Sequence, residues 1–119
     1  MSELASESGG HMIRVCSVED VPKGTAIAAD IDGTQIAVVH AEDDNFYAVY
    51  DECSHAAVPL SEGEVDGCTL ECWLHGSRFD LRTGQPTGLP ATEPVPVYPV
   101  EVRDGDVYVS LEPINGVTP

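Results

Sequence analysis

Cys53-Ser54-His55 and Cys72-Trp73-Leu74-His75 each set a thiolate donor close in the chain to an imidazole donor, and both lie within one short stretch. Sulfur of this kind is soft and anionic, whereas the imidazole nitrogen is neutral. Two of each satisfy either one tetrahedral zinc or an iron–sulfur cluster whose two irons take unlike ligands. The order of the donors bears on the choice. A zinc finger presents both cysteines first and both histidines later on a helix, but here cysteine and histidine alternate, and neither pair sits in a helical apolar pattern. Each pair opens a polar loop bearing proline or glycine, CSHAAVPL at 53–60 and CWLHGSRFD at 72–80.

Loops of this kind need a stiff frame, and the rest of the chain reads as strands. Segments 13–16, 25–29, 34–40, 45–50, 69–72, 97–102 and 107–111 are alternating or β-branched. Asp32-Gly33, Asp66-Gly67 and Asp104-Gly105 mark tight turns between them. No long amphipathic helix is legible. The pattern predicts an all-β protein, an antiparallel sandwich or partly open barrel. At 119 residues the chain is one domain. Residues 1–11 are small, polar and unpatterned and read as a flexible leader, part of it cloning-derived, while 113–119 reads as an exposed tail. Cys16 and Cys68 fall in strand-like segments and are expected to be small core residues, not a disulfide. His40 reads as a surface or edge residue and His11 belongs to the leader.

The two loops, with C-x-H and C-x-x-H spacings intact, resemble those of Rieske proteins over about residues 12–112, most closely from Cys53 to Asp80. That resemblance implies a Rieske-like fold with a small inserted cluster-binding subdomain. It implies one 2Fe-2S cluster, with Cys53 and Cys72 on one iron and His55 and His75 on the other. High-potential members of the family carry a disulfide between the two loops; the corresponding positions here are Val58 and Leu74. Those members also place a serine and a tyrosine donor after the second histidine. This chain keeps Ser77 but has Phe79, which points to the lower part of a range of about −150 to +300 mV. A proline-bearing stretch, 84–94, resembles the loop that covers the cluster in this family, with Leu89-Pro90-Ala91 over it. Trp73 stands where proline is frequent and reads as a packed loop residue ahead of a docking aromatic.

Charge limits the partners. Acidic residues outnumber basic ones 21 to 5, for a net charge of -16, so phosphate backbones and anionic membrane surfaces are poor partners. No apolar run reaches the length of a membrane span and no export leader is legible, which fits a cytoplasmic protein. Acidic residues near the ligand loops, at Asp51, Glu52, Glu62, Glu64, Asp66, Glu71 and Asp80, read equally as steering charges for a basic redox partner or as an ordinary solvated face.

Spare histidines for a second, mononuclear iron are missing, as is a nucleotide-binding glycine fingerprint. The resemblance therefore implies a carrier and not an enzyme: a soluble ferredoxin passing single electrons from a flavin-dependent reductase to a terminal oxygenase. Other readings stay open at this point. They are an accessory redox component, for instance of iron–sulfur assembly, a non-catalytic subunit of a larger oxidoreductase, a redox sensor, and a structural zinc protein.

Overall fold

A computed structural model describes residues 12–54, 58–74, 76–87 and 93–117. Ten strands are present among them: β1 (Met12–Ser17), β2 (Thr25–Ile31), β3 (Thr34–His40), β4 (Phe46–Tyr50), β5 (Glu64–Asp66), β6 (Thr69–Glu71), β7 (Arg78–Asp80), β8 (Val97–Tyr98), β9 (Val100–Arg103) and β10 (Asp106–Ser110). They form three antiparallel sheets, ordered β1-β10-β9, β2-β3-β4-β8 and β5-β6-β7. The third sheet is inserted between β4 and β8, as the sequence reading expects of the subdomain that carries the site.

The four-stranded sheet is the middle layer, and β3 shows why. Its residues Ile36 to Val39 are all buried, so both faces of the strand are covered. Alternate side chains leave a strand on opposite faces. Ala37 and Val39 accordingly join one apolar cluster with Val49, Leu60, Leu70 and Phe79. Ile36 and Val38 join the other, with Val21, Val107 and Val109. The first cluster seats the inserted sheet and the second seats β1 and β10. Each fully buried aliphatic or phenyl side chain contributes about 1.5–3 kcal/mol.

The Asp32-Gly33 and Asp104-Gly105 turns form as expected, with φ positive at both residues of each pair, the requirement of the tightest hairpin. The third turn is displaced by one residue. Asp66 pairs with Thr69, so the turn is Gly67-Cys68, and only Gly67 has positive φ. Segment 97–102, expected as one strand, is two. Pro99 has no amide to donate, and the chain changes sheet there, from β8 beside β4 to β9 beside β10. Strands β5 and β7 were not anticipated, because a short charged segment carries too little apolar pattern to register.

The inserted sheet is clasped to the β3–β4 turn. The amide of Glu42 donates to the Gly67 carbonyl at 3.1 Å, and the Gly67 amide returns a bond to Glu42 Oε1 at 2.8 Å. Beside them Asp43 Oδ2 accepts from the Tyr47 hydroxyl at 2.7 Å and the Cys68 thiol at 3.1 Å. Cys68 is therefore a turn residue held by a carboxylate and not a core residue, whereas Cys16 is buried in β1 as expected. Neither forms a disulfide.

Candidate metal centre

Each cysteine of the two motifs begins a loop that closes back on it. The Cys53 amide donates to the Val58 carbonyl at 3.0 Å, and the Cys72 amide to the Ser77 carbonyl at 2.6 Å. A second bond, from the Gly76 amide to the Cys72 carbonyl at 2.9 Å, tightens the latter loop. It needs the positive φ of 79° that Gly76 adopts without a Cβ penalty.

The first loop is anchored by Asp51. Its amide donates to the Gln35 carbonyl of β3 at 2.9 Å, and its carboxylate accepts from the Ser61 amide at 2.6 Å and the Ser61 hydroxyl at 2.7 Å. Asp51 is buried, so it does not belong to a steering surface. It is instead the brace across the mouth of the loop, which runs into a single 3-10 turn at Leu60–Glu62. The second loop rides on the β6–β7 hairpin, where Glu71 faces Arg78. Arg78 Nη2 stands 3.7 Å from Glu71 and 3.5 Å from Asp66, which offsets the repulsion of Glu64 directly across from Glu71.

These loops bring both cysteines into the same apolar cluster as Leu60, Leu70, Phe79 and Leu81. Cys53 is 4% exposed and Cys72 1%. Ser77 and Phe79 are buried with them, and Val58 packs against the cluster. Leu74 is 40% exposed and Trp73 50%, so Trp73 is not a packed loop residue: it projects from the second loop. His55, His75, Leu89, Pro90 and Ala91 lie outside the described residues. The donor chemistry fits a group that takes sulfur on its inner side: both cysteines lie buried in one apolar cluster, at the start of two loops of matched closure, each carrying a histidine in its sequence.

Neighbouring titratable groups serve the frame. The Tyr47 hydroxyl, with the Asn45 amides and the Cys68 thiol, holds the Asp43 carboxyl well below the usual range. Tyr47 itself is pushed up to about 12, by burial and by Asp43, and the Cys68 thiol is raised mainly by its bond to Asp43. His40 is largely buried, its side chain 14% exposed, and is not merely a surface residue. It stacks on Phe46 at 4.1 Å, with ring nitrogens at hydrogen-bond distance from the Val21 carbonyl and Asp44. Sequence reasoning missed Asp51, Asp43 and Asn115 as framing residues; a polar residue carries no signal of the distant groups that will bond to it.

The three sheets and the paired loops define an antiparallel β protein with two cysteine-rooted loops seated on one apolar cluster. Consistent with this, the family model of the Rieske 2Fe-2S domain matches residues 11–99. Ferredoxin CarAc of Metapseudomonas resinovorans is 40% identical over 100 residues, covering 84% of this chain and 94% of that protein. The 3-phenylpropionate/cinnamic acid dioxygenase ferredoxin subunit of Escherichia coli K12 is 42% identical over 102 residues, covering 85% and 94%. A solved complex of reduced oxygenase and oxidized ferredoxin in carbazole 1,9a-dioxygenase contains a chain that superposes with a TM-score of 0.80 at 40% identity, covering 86% of this chain and 94% of that one. The chain belongs to the Rieske 2Fe-2S domain family. Both of these curated relatives are named as ferredoxins, the second as the ferredoxin subunit of a dioxygenase. No helix among the described residues is long and apolar enough to cross a membrane.

Proposed function

We propose that this chain is a soluble, cytoplasmic one-electron carrier that takes electrons from a flavin-dependent reductase and delivers them to a terminal oxygenase. Cys53 and Cys72 would hold one iron of the 2Fe-2S group, and His55 and His75 the other. The observation that carries this reading is that both cysteines, at the roots of matched loops, are buried in one apolar cluster of a chain matched by the Rieske family model. Relatives named as ferredoxin subunits of dioxygenases, and one solved in complex with its oxygenase, support the choice of partners.

When bound, the group supplies a site for a single added electron. The chain's own residues do the rest. Leu60, Leu70, Phe79 and Leu81 exclude water from the cysteine side. Trp73 and Leu74 offer an apolar contact on the second loop, and the exposed Glu62 and Glu64 lie on the neighbouring inserted sheet and its approach. Such a surface suits a partner with an apolar recess and a basic rim.

Anaerobic reconstitution with iron and sulfide tests the reading. A red-brown protein with two irons and two sulfides, whose dithionite-reduced form shows the spin-resonance signature of mixed nitrogen and sulfur ligation, is expected. A colourless protein with one zinc would overturn it. Steady-state turnover of a dioxygenase supplied with this chain and a reductase then tests the partners.

A further inference from the structure

We infer that Asn115 is a positioning residue for the Cys53 loop, making the C-terminal segment part of the frame of the metal centre. The inference rests on the reading of Cys53 as a ligand. Asn115 lies beyond the last strand, where the sequence suggests only an exposed tail, yet its side chain is fully engaged. Nδ2 donates to the Thr83 carbonyl at 3.0 Å and to the Val95 carbonyl at 2.9 Å. Oδ1 accepts from the Val97 amide at 3.2 Å and the Val117 amide at 3.3 Å. Those two donor hydrogens and two acceptor positions are all that a carboxamide has. The Ile114 amide, bonded to the Val97 carbonyl at 2.8 Å, lays the segment along β8 and aims Asn115.

Val95 is the hub of this arrangement. Its amide donates to the Gly84 carbonyl at 2.9 Å, so Asn115 and Gly84 together fix both of its backbone groups. The site leaves no slack, since a Cβ on Gly84 would run into the Val95 carbonyl and Asn115 Nδ2. Just ahead of Val95 in the chain, the Glu93 carbonyl accepts the Ser54 hydroxyl at 2.6 Å. Ser54 stands between Cys53 and His55. A continuous path thus runs from Asn115 through Val95 and Glu93 to Ser54 and the ligand loop. Ser54, Glu93 and Val95 of this path line one groove of about 480 Å³, together with Cys53 and with Val117 of the tail.

The test uses the full chain loaded with its iron–sulfur group. Asn115→Asp keeps shape and acceptor but loses both donor hydrogens. Ser54→Ala cuts the path at its other end, and Arg14→Ala, on β1 far from the loops, controls for general loss of stability. Each path variant is expected to speed chelator-driven bleaching about tenfold, the change in local opening that one or two lost hydrogen bonds produce. The double variant should bleach no faster than the faster single one, and both path variants should shift the midpoint potential where Arg14→Ala does not. Bleaching of Asn115→Asp at the wild-type rate, multiplying effects in the double variant, or an equal response from Arg14→Ala would overturn the inference. Failure of the wild type to assemble the group at all would overturn the ligand reading instead, and is seen before any variant is compared.

Discussion

The backbone amide of Cys72 donates to the carbonyl of Ser77 at 2.6 Å, and the same closure links Cys53 to Val58 at 3.0 Å. Two separate stretches of chain thus solve one local problem in the same way: a buried cysteine stands at the root of a loop whose backbone closes back on its amide. The equivalence lies in the backbone, so Ser77 and Val58 need share no side-chain chemistry.

Removing a root sulfur should abolish assembly. Cys53→Ser and Cys72→Ser are each expected to carry less than about a tenth of the wild-type iron and sulfide, since outright loss of an anionic donor is not offset by a neutral hydroxyl. Cys16→Ser and Cys68→Ser should retain the full complement. Iron and sulfide analysis with visible absorbance decides it, and a fully loaded Cys72→Ser protein would refute the assignment.

The buried pair Ser77 and Phe79 should tune the reduction potential in opposite directions. Ser77→Ala removes a hydroxyl and should lower it; Phe79→Tyr adds one and should raise it. Each shift should be on the order of tens of millivolts, the equivalent of a hydrogen bond of about 1 kcal/mol. Protein-film voltammetry reads both, and two unmoved potentials would remove these residues from the group's surroundings.

Trp73 is half-exposed, so its truncation should alter encounter and leave the frame intact. Trp73→Ala is expected to raise the apparent KM of the oxygenase for this carrier by about tenfold, in the range of an aromatic anchor at an interface, with melting temperature and potential unchanged. An unchanged KM would assign docking to another face. Added salt should slow transfer further if the acidic rim contributes.

Asp51→Ala leaves the Ser61 amide and hydroxyl without their carboxylate, at a cost of about 1–3 kcal/mol. Asp51→Asn keeps one acceptor and should cost less. Urea unfolding of the loaded protein orders the two, and equal midpoints would show that the brace contributes nothing.

The Asp43 clasp sets a pH dependence of stability. The native Asp43 value is depressed, so its contribution is complete above the ordinary carboxylate value of about 3.9 and is lost as pH falls through the native one. Tyr47 has the opposite sign: its contribution is complete below about 10 and is lost as pH rises toward its native value of about 12. Asp43→Asn should flatten the acid limb and weaken the alkaline one. Parallel melting-temperature profiles for variant and wild type would contradict the clasp.

Several elements were legible at the outset because their signals are local. Strand β3 follows from the apolar run Ile36 to Val39, and the Asp32-Gly33 and Asp104-Gly105 hairpins from the positive φ that such pairs accept, while the four ligand candidates rest on residue type and spacing alone. The break at Pro99 was also written in the chain, in the missing amide, though the apolar run on either side masks it.

The amino-acid sequence by itself determined the all-β class, the two cysteine–histidine motifs as candidates and the acidic composition, because each depends on residue identity and on neighbours close along the chain. Only the tertiary structure decided which polar residues work for the site. Asp51 turned inward to brace a loop, Trp73 turned outward, and Asn115 reached from the C-terminal segment to Val95. Burial and hydrogen-bond partnership are properties of what distant segments bring to a side chain, and chain spacing carries no record of them.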